Sequence, residues 1–154
     1  MSHMRRSFLK LVGTAAALAA TGAVGLLRSA KTWADWNKAG FESKVLADAL
    51  KNIGAVSPVE SKDIAITAPD IAENGAVVPV AVTSRIPNTQ QISIVSEKNP
   101  FPLAATFEIA NGGEGYVSTR IKMGQTSDIW AVVKADGKYF SARKEVKITV
   151  GGCG

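Results

Sequence analysis

The chain has 154 residues, which is enough for one domain with a modest hydrophobic core. The net charge of +5 lies in the first part of the sequence, because residues 1–34 contain five basic side chains and no acidic one, whereas residues 35–154 contain thirteen of each sign. Without its first residues the chain has no net charge, so the composition excludes a general nucleic-acid-binding protein.

The sequence begins with the pattern of an export signal. Arg5-Arg6-Ser7-Phe8-Leu9-Lys10 precedes a weakly apolar run over residues 11–27, and small residues up to Ala34 form a cleavage site. We therefore predict that residues 1–34 are removed, that the mature protein is periplasmic and that it does not bind the membrane. A retained transmembrane anchor is the alternative, but a run of 17 residues rich in Ala and Gly lies at the short limit for a span. Four residues resemble the twin-arginine signal, which exports folded proteins, namely Arg5, Arg6, Phe8 and Leu9.

Few residues of this chain are suited to catalysis. His3 is the only histidine and lies in the predicted signal, so the mature protein lacks the base for Cys-His or Ser-His catalysis. Cys153 is the only cysteine, which excludes a zinc site of Cys/His type, and the carboxylates form no evident acid–base pair. Residues 112–115 (Gly-Gly-Glu-Gly) fit neither a phosphate loop nor a dinucleotide motif and are predicted to form a hairpin loop. We expect no cofactor, no metal ion and no turnover by the chain alone.

Residues 35–62 are predicted to form a helix and a connector. Apolar residues recur at helical spacing from Phe41 to Ile53, and Gly54 is placed to end the helix. From residue 63 the pattern changes to short alternating runs separated by turn residues. This pattern predicts seven strands, at residues 63–67, 76–84, 91–97, 104–110, 116–122, 128–134 and 138–150.

Seven short strands at this spacing predict an all-β fold, an immunoglobulin-like β-sandwich over residues 63–150. Asp136-Gly137 has the composition of a tight hairpin turn. Pro79 interrupts the second run, so that strand is predicted to be an edge strand or to contain a bulge. Met123 and Trp130 follow the strand pattern and are interpreted as core or interface residues rather than cofactor contacts.

The tail of residues 151–154 carries the most informative chemistry of the chain. Glycine bends freely and has a small cross-section, so Gly151, Gly152 and Gly154 are predicted to make a flexible arm that presents Cys153 from a rigid last strand. A single cysteine in an exported protein is free, paired between chains or covalently loaded. Residues 115–154 contain seven basic and three acidic side chains, which favours an anionic cargo or an acidic partner near the tail, or marks a solvated strand face.

Four segments resemble the SoxY family, the sulfur carriers of bacterial sulfur oxidation. The carboxyl-terminal segment Val-Lys-Ile-Thr-Val-Gly-Gly-Cys-Gly of residues 146–154 is the specific one, although family members commonly have one further glycine. The others are similar but weaker signals, namely Asn-Pro-Phe-Pro-Leu-Ala at 99–104, Ser-Thr-Arg-Ile-Lys-Met at 118–123 and Ala-Asp-Gly-Lys at 135–138. Together with the export signal and the first helix, the resemblance covers nearly the whole chain.

The resemblance implies a function for the tail. Cys153 would hold sulfur adducts covalently, and partner proteins would supply the chemistry: a cytochrome, SoxAX, joins thiosulfate to the thiol, a hydrolase, SoxB, releases sulfate, and a sulfane dehydrogenase oxidises the sulfur that remains. A heterodimer with SoxZ is also implied. The residues themselves leave two alternatives open, an interaction module that forms an interchain disulfide through Cys153 and a thiol enzyme.

Overall fold

The structure is a computed structural model that describes residues 36–110 and 112–149. The described part contains two short helices, α1 (Lys38–Phe41) and α2 (Leu46–Asn52). It also contains nine strands: β1 (Val59–Glu60), β2 (Ile64–Thr67), β3 (Ile71–Ala72), β4 (Val78–Ser84), β5 (Thr89–Ser96), β6 (Leu103–Glu108), β7 (Tyr116–Ile121), β8 (Ser127–Ala135) and β9 (Lys138–Ile148).

The strands form two sheets that pack face to face. The larger sheet has the order β1-β9-β8-β5-β6, and β3 also pairs with β9, whereas the smaller sheet has the order β2-β4-β7. Neighbouring strands are antiparallel except for β1 and β3, which run parallel to β9. The predicted all-β, immunoglobulin-like sandwich is confirmed, and each of the seven predicted strands is present within a few residues of its predicted bounds.

Strand β8 is buried on both faces of the larger sheet. Ala131 and Val133 belong to the core between the sheets, together with Ile92, Ile94 and other fully buried residues. Val132 points the opposite way and packs with residues of α2 in a second core on the outer face. The strand therefore reads as a nearly continuous apolar run instead of alternating, as expected for a strand covered on both sides.

The predicted single helix over residues 41–53 is wrong. Phe41 ends α1, and the chain turns before Val45, whose extended backbone (φ −130°, ψ 149°) precedes α2. Ser43 explains the break, because its hydroxyl donates to the Ala39 carbonyl (2.7 Å) and accepts from the Asn52 side-chain amide (2.9 Å). These contacts fold the two helices against each other, which helical periodicity alone does not reveal.

The prediction for Pro79 is also wrong, because β4 is the central strand of the smaller sheet and pairs with β7 without a register shift. Proline is tolerated there because β2 pairs only with Ala81–Ser84, so Pro79 has a strand neighbour on one side only. β4 is therefore a central strand as a whole, but at Pro79 one of its two edges has no strand beside it.

Residues 112–115 do not form the predicted hairpin loop. They connect β6, which lies in the larger sheet, to β7, which lies in the smaller one. The loop packs closely, since a Cβ atom on Gly115 would lie 2.7 Å from the Ser84 carbonyl oxygen. By contrast, the predicted Asp136-Gly137 turn is confirmed: both residues have positive φ (48° and 72°), the conformation of a two-residue type I′ turn.

None of the helices in the described ranges is long and apolar enough to cross a bilayer.

Candidate functional site

The residues predicted to carry the function lie outside the described parts of the chain. These are the export-signal residues Arg5, Arg6, Phe8 and Leu9 and the tail residues Gly151, Gly152, Cys153 and Gly154. The structure does describe the base of the tail, which is the end of β9 up to Thr149, and the loops that surround it. This base is the part of the predicted site whose geometry the structure gives.

The end of β9 is held on both of its edges. On one edge β3 runs parallel to it, and two backbone bonds add to the pairing, from Lys147 N–H to the Asp70 carbonyl (2.9 Å) and from Thr149 N–H to the Ala72 carbonyl (3.2 Å). On the other edge the Ile148 N–H donates to the Thr126 hydroxyl oxygen at 3.0 Å. Since backbone bonding continues to Thr149, the tail begins from an ordered strand end, as the sequence predicted for this part of β9.

The side chains of this segment alternate as predicted. Val146 is fully buried and Ile148 packs against the core, whereas Lys147 and Thr149 are exposed. Lys144, two residues before Val146, donates to the Ala68 carbonyl (2.6 Å) and forms an ion pair with Asp70 (3.0 Å). The same loop that carries β3 is thereby attached to β9 through both backbone and side chain.

Gly75 lies against the base of the tail. Its carbonyl accepts a hydrogen bond from the Met123 N–H (2.7 Å), and a Cβ atom at this position would lie 2.3 Å from the Met123 carbonyl oxygen and 3.1 Å from a methyl carbon of Ile148. Met123 itself is 2% exposed, so its predicted placement in the core is confirmed. Only glycine permits this close approach of two loops to the end of β9.

Asn99 connects two loops at the same end of the sandwich. Its side-chain amide donates to the Lys122 carbonyl (2.6 Å), and its side-chain oxygen accepts from the Gly124 N–H (3.1 Å). Residues 99–104 and 118–123, two of the segments that resemble SoxY proteins, are thereby brought together beside the base of the tail. Residues 135–138, the third such segment, form the hairpin at the opposite end.

A groove of about 260 Å³ lies between β6 and β7, which are edge strands of the two sheets. Arg120 and Lys122 are both exposed and bring two positive charges to it. The groove is lined by Asn99, Ala104, Ala105, Thr119, Arg120, Ile121 and Lys122. The sequence did not predict this groove. The cationic character of residues 115–154 indicated its charge, but the sequence does not show that β7 lies beside β6 of the other sheet.

Trp130 lies on the outer face of the larger sheet, where it packs at the margin of the second core. Its indole N–H donates to a Glu97 carboxylate oxygen (3.0 Å), and the Arg143 guanidinium lies 5.7 Å from the ring centre. The interpretation of Trp130 as a core or interface residue agrees with this position. Within the described ranges, no three His, Cys, Asp or Glu side chains are grouped as metal ligands.

Comparison with known proteins decides the family. The sequence model of the family "Sulfur oxidation protein SoxY" matches residues 50–153, about two thirds of the chain, and therefore includes Cys153. The chain belongs to the SoxY family. The structure is similar to that of the sulfur carrier protein SoxY from Chlorobium limicola forma thiosulfatophilum, with 40% identity and a TM-score of 0.60, over 68% of this chain and 96% of the other.

Two other structures show weaker likeness to this SoxY-family chain. An engineered protein has 15% identity and a TM-score of 0.41, over 62% of this chain and 21% of its own. The reeler domain of human F-spondin has 10% identity and a TM-score of 0.38, over 60% of this chain and 95% of its own. No curated protein matches the sequence. The resemblance to SoxY proteins seen in the sequence is thus confirmed.

Proposed function

We propose that this protein is a periplasmic carrier that holds thiosulfate-derived sulfur covalently on Cys153 and presents it to partner enzymes. The observation that carries the proposal is the match to the SoxY family over residues 50–153, because the only cysteine of the chain lies within it. The ordered end of β9 supports the proposal, since a short tail delivers its cargo to a defined place only from a fixed base.

The proposed loading step is an oxidation. The Cys153 thiol and thiosulfate join through a new sulfur–sulfur bond, and one proton and two electrons leave, the electrons passing to a c-type cytochrome partner, SoxAX. A hydrolase partner, SoxB, then adds water to the terminal sulfonate. That step releases sulfate and two protons and leaves a persulfide anion on Cys153, which a sulfane dehydrogenase oxidises further.

The chain contributes no catalytic group to these steps. After cleavage of residues 1–34 it contains no histidine, and an ordinary thiol with a pKa of about 8.5 is only a few per cent thiolate at neutral pH. The partners therefore supply the base, the metal and the oxidant. We further propose a stable heterodimer with SoxZ, and export of the folded protein by the twin-arginine route.

Mass spectrometry of Cys153 tests the proposal. The protein is recovered under non-reducing conditions from cells that grow on thiosulfate, and trypsin cleaves after Lys147 to release residues 148–154 as one peptide. We expect this peptide to carry thiosulfonate and persulfide adducts, and the Cys153→Ser variant to carry none and to abolish thiosulfate oxidation. The purified protein alone should leave thiosulfate unchanged.

Two results would contradict the carrier proposal. If the peptide is always recovered with an unmodified thiol, Cys153 carries no covalent cargo. A peptide recovered as a disulfide-linked pair, with thiosulfate oxidation intact in Cys153→Ser, would favour an interaction module that uses the cysteine to join chains.

A further inference from the structure

We propose that Asn74 is a site of spontaneous deamidation, and that the isoaspartate formed there loosens the end of β9. Asn74 and Gly75 lie in the loop that leads from β3 to β4. Neither the reaction nor its effect involves Cys153. The inference therefore goes beyond the proposed function and does not depend on it.

The reaction needs only the chain and water. The backbone nitrogen of Gly75 attacks the side-chain carbon Cγ of Asn74, so that a nitrogen–carbon bond forms and the bond from Cγ to Nδ2 breaks. The proton of the attacking nitrogen leaves with the side-chain nitrogen as ammonia, and a cyclic succinimide remains. Water then opens this ring at either carbonyl group, which gives aspartate or isoaspartate. No electrons are gained or lost, so no oxidant or reductant is required.

The residue after Asn74 makes the reaction selective. Asn74 is the only asparagine of the described residues that precedes a glycine, and glycine leaves the attacking nitrogen unhindered because it has no Cβ atom. Of the other asparagines in the described ranges, Asn37 precedes Lys38, Asn52 precedes Ile53, Asn88 precedes Thr89 and Asn99 precedes Pro100. Side chains after these asparagines crowd the nitrogen, most of all the β-branched ones, and proline has no N–H to lose.

The loop leaves both reacting groups accessible. Asn74 is exposed, and the Gly75 N–H donates to no acceptor among the described residues. The side-chain oxygen of Asn74 accepts a hydrogen bond from the Ala76 N–H (2.9 Å). Attack on Cγ places negative charge on this same oxygen, and a backbone N–H that already points at it stabilises that charge. The fold therefore assists the reaction at Asn74 instead of protecting the side chain.

The isoaspartate product does not fit the close packing beside Asn74. Isoaspartate continues the chain through its side chain, which adds one methylene group to the backbone. Gly75 cannot move to make room, because its carbonyl accepts from the Met123 N–H (2.7 Å) and a Cβ atom there would already overlap the Met123 carbonyl oxygen. The longer backbone therefore pushes away the loop of residues 122–126. Thr126 of that loop accepts from the Ile148 N–H, so the end of β9 loses one of its two attachments.

The experiment incubates the full chain at mildly alkaline pH, which favours the deprotonated nitrogen, and then digests it with trypsin. Cleavage after Lys62 and Arg85 releases residues 63–85, in which Asn74 is the only amide side chain. We expect this peptide to gain the mass of an amide-to-acid conversion at least as fast as in the same protein unfolded in urea. A methyltransferase specific for isoaspartate should then label it.

The chain supplies its own control peptides. Residues 52–62 form a tryptic peptide whose only amide side chain is Asn52, and we expect it to keep its mass in the folded protein. The other Asn-Gly pair of the sequence, at residues 111–112, lies in the separate peptide of residues 99–120 and does not affect the measurement.

Two substitutions separate the added charge from the added backbone atom. Freshly prepared Asn74→Asp carries the charge with a normal backbone, and its carboxylate accepts from the Ala76 N–H. Asn74→Ser cannot form a succinimide, and its hydroxyl oxygen can accept the same turn hydrogen bond. We expect hydrogen exchange at the Ile148 and Thr149 amides to be about tenfold faster in the deamidated wild type, the size expected for overpacking a filled site. Exchange should be unchanged in Asn74→Asp, and in Asn74→Ser after the same incubation.

Four results would contradict the proposal. Conversion of Asn74 in urea but not in the folded protein would mean that the loop protects it, and equal conversion of Asn52 would remove the selectivity. Unchanged exchange at Ile148 and Thr149 in the deamidated protein, or equal acceleration in Asn74→Asp, would mean that the added backbone atom does not act on the end of β9. None of these results bears on whether Cys153 carries sulfur, which the adduct analysis decides.

Discussion

Gly75, in the loop after β3, lies close to the base of the tail. The space for a side chain is already filled, because a Cβ atom would lie 2.3 Å from the Met123 carbonyl oxygen. That oxygen belongs to the backbone, so relief requires the loop of residues 122–126 to move away from β9. The same movement disturbs the contact between Thr126 and the Ile148 N–H, which fixes the strand end.

We predict that Gly75→Ala lowers the free energy of unfolding by about 2 kcal/mol, the typical cost of overpacking a filled site. Urea unfolding followed by circular dichroism measures this change. Gly124→Ala is the matched control, because it lies in the facing loop and a Cβ atom there would have only Asn99 Oδ1 nearby, at 4.0 Å. Equal destabilisation by the two variants would show that the close approach at Gly75 does not matter.

Single residues differ in how much of their role the sequence discloses. Asp136-Gly137 was predictable because a two-residue hairpin needs positive φ at both positions, which is a local requirement. The role of Asn99 was not, because its side chain spans to Lys122 and Gly124, more than twenty residues away. In the sequence Gly75 is recognisable only as a turn residue. The structure shows why glycine is needed there, because the distant loop that contains Met123 lies against it.

At the scale of elements, the end of α2 is stabilised by two interactions that depend on each other. Gly54 has φ +85°, its N–H donates to the Lys51 carbonyl (2.9 Å), and the next N–H, of Ala55, donates to the Leu50 carbonyl (2.8 Å). This arrangement is a Schellman motif, which favours glycine. The Tyr139 hydroxyl of β9 donates to the Ile53 carbonyl (2.7 Å) and thereby attaches the helix to the larger sheet.

A double-mutant cycle tests this coupling. Gly54→Ala meets two penalties, a left-handed backbone that costs about 1–2 kcal/mol outside glycine and a Cβ atom that would lie 2.7 Å from the Tyr139 hydroxyl. Tyr139→Phe removes that hydroxyl and should cost about 1 kcal/mol for the lost hydrogen bond. We predict that Gly54→Ala is less destabilising in the Tyr139→Phe background by about 1 kcal/mol. Additive costs in urea unfolding would contradict it.

The sequence predicted the existence of the long strands better than their partners. Alternation and turn residues located seven strands, because both signals are local. The assignment of β6 and β7 to different sheets was missed, since sheet membership depends on contacts between distant segments. Strands β1 and β3 have two residues each, too few for any alternation to show. The groove between β6 and β7 therefore could not be predicted from the sequence, whereas the cationic character of residues 115–154 and the tail cysteine could be read from it directly.

At the scale of the whole molecule, β8 joins two cores. Its inward residues Ala131 and Val133 belong to the core between the sheets, and its outward residue Val132 belongs to the second core, which also contains Leu50 and Ile53 near the end of α2. The helices are too short to be stable alone, so they depend on this packing. It follows that the helical layer and the sandwich should form and unfold together, as one unit that carries the tail at one end.

Two neighbouring variants on β8 test this unity. Val132→Ala opens the core under the helices and Val133→Ala opens the core between the sheets, and each valine is at most 1% exposed. We predict that each lowers the free energy of unfolding by about 2 kcal/mol and that far-ultraviolet and near-ultraviolet circular dichroism report one coincident transition in both variants. Val56→Ala, at 73% exposure, is the control and should change stability by less than about 0.5 kcal/mol. A Val132→Ala protein that loses its helical signal first, while the sandwich unfolds at the wild-type denaturant concentration, would mean that the helices are an independent cover and that the tail is carried by the sandwich alone.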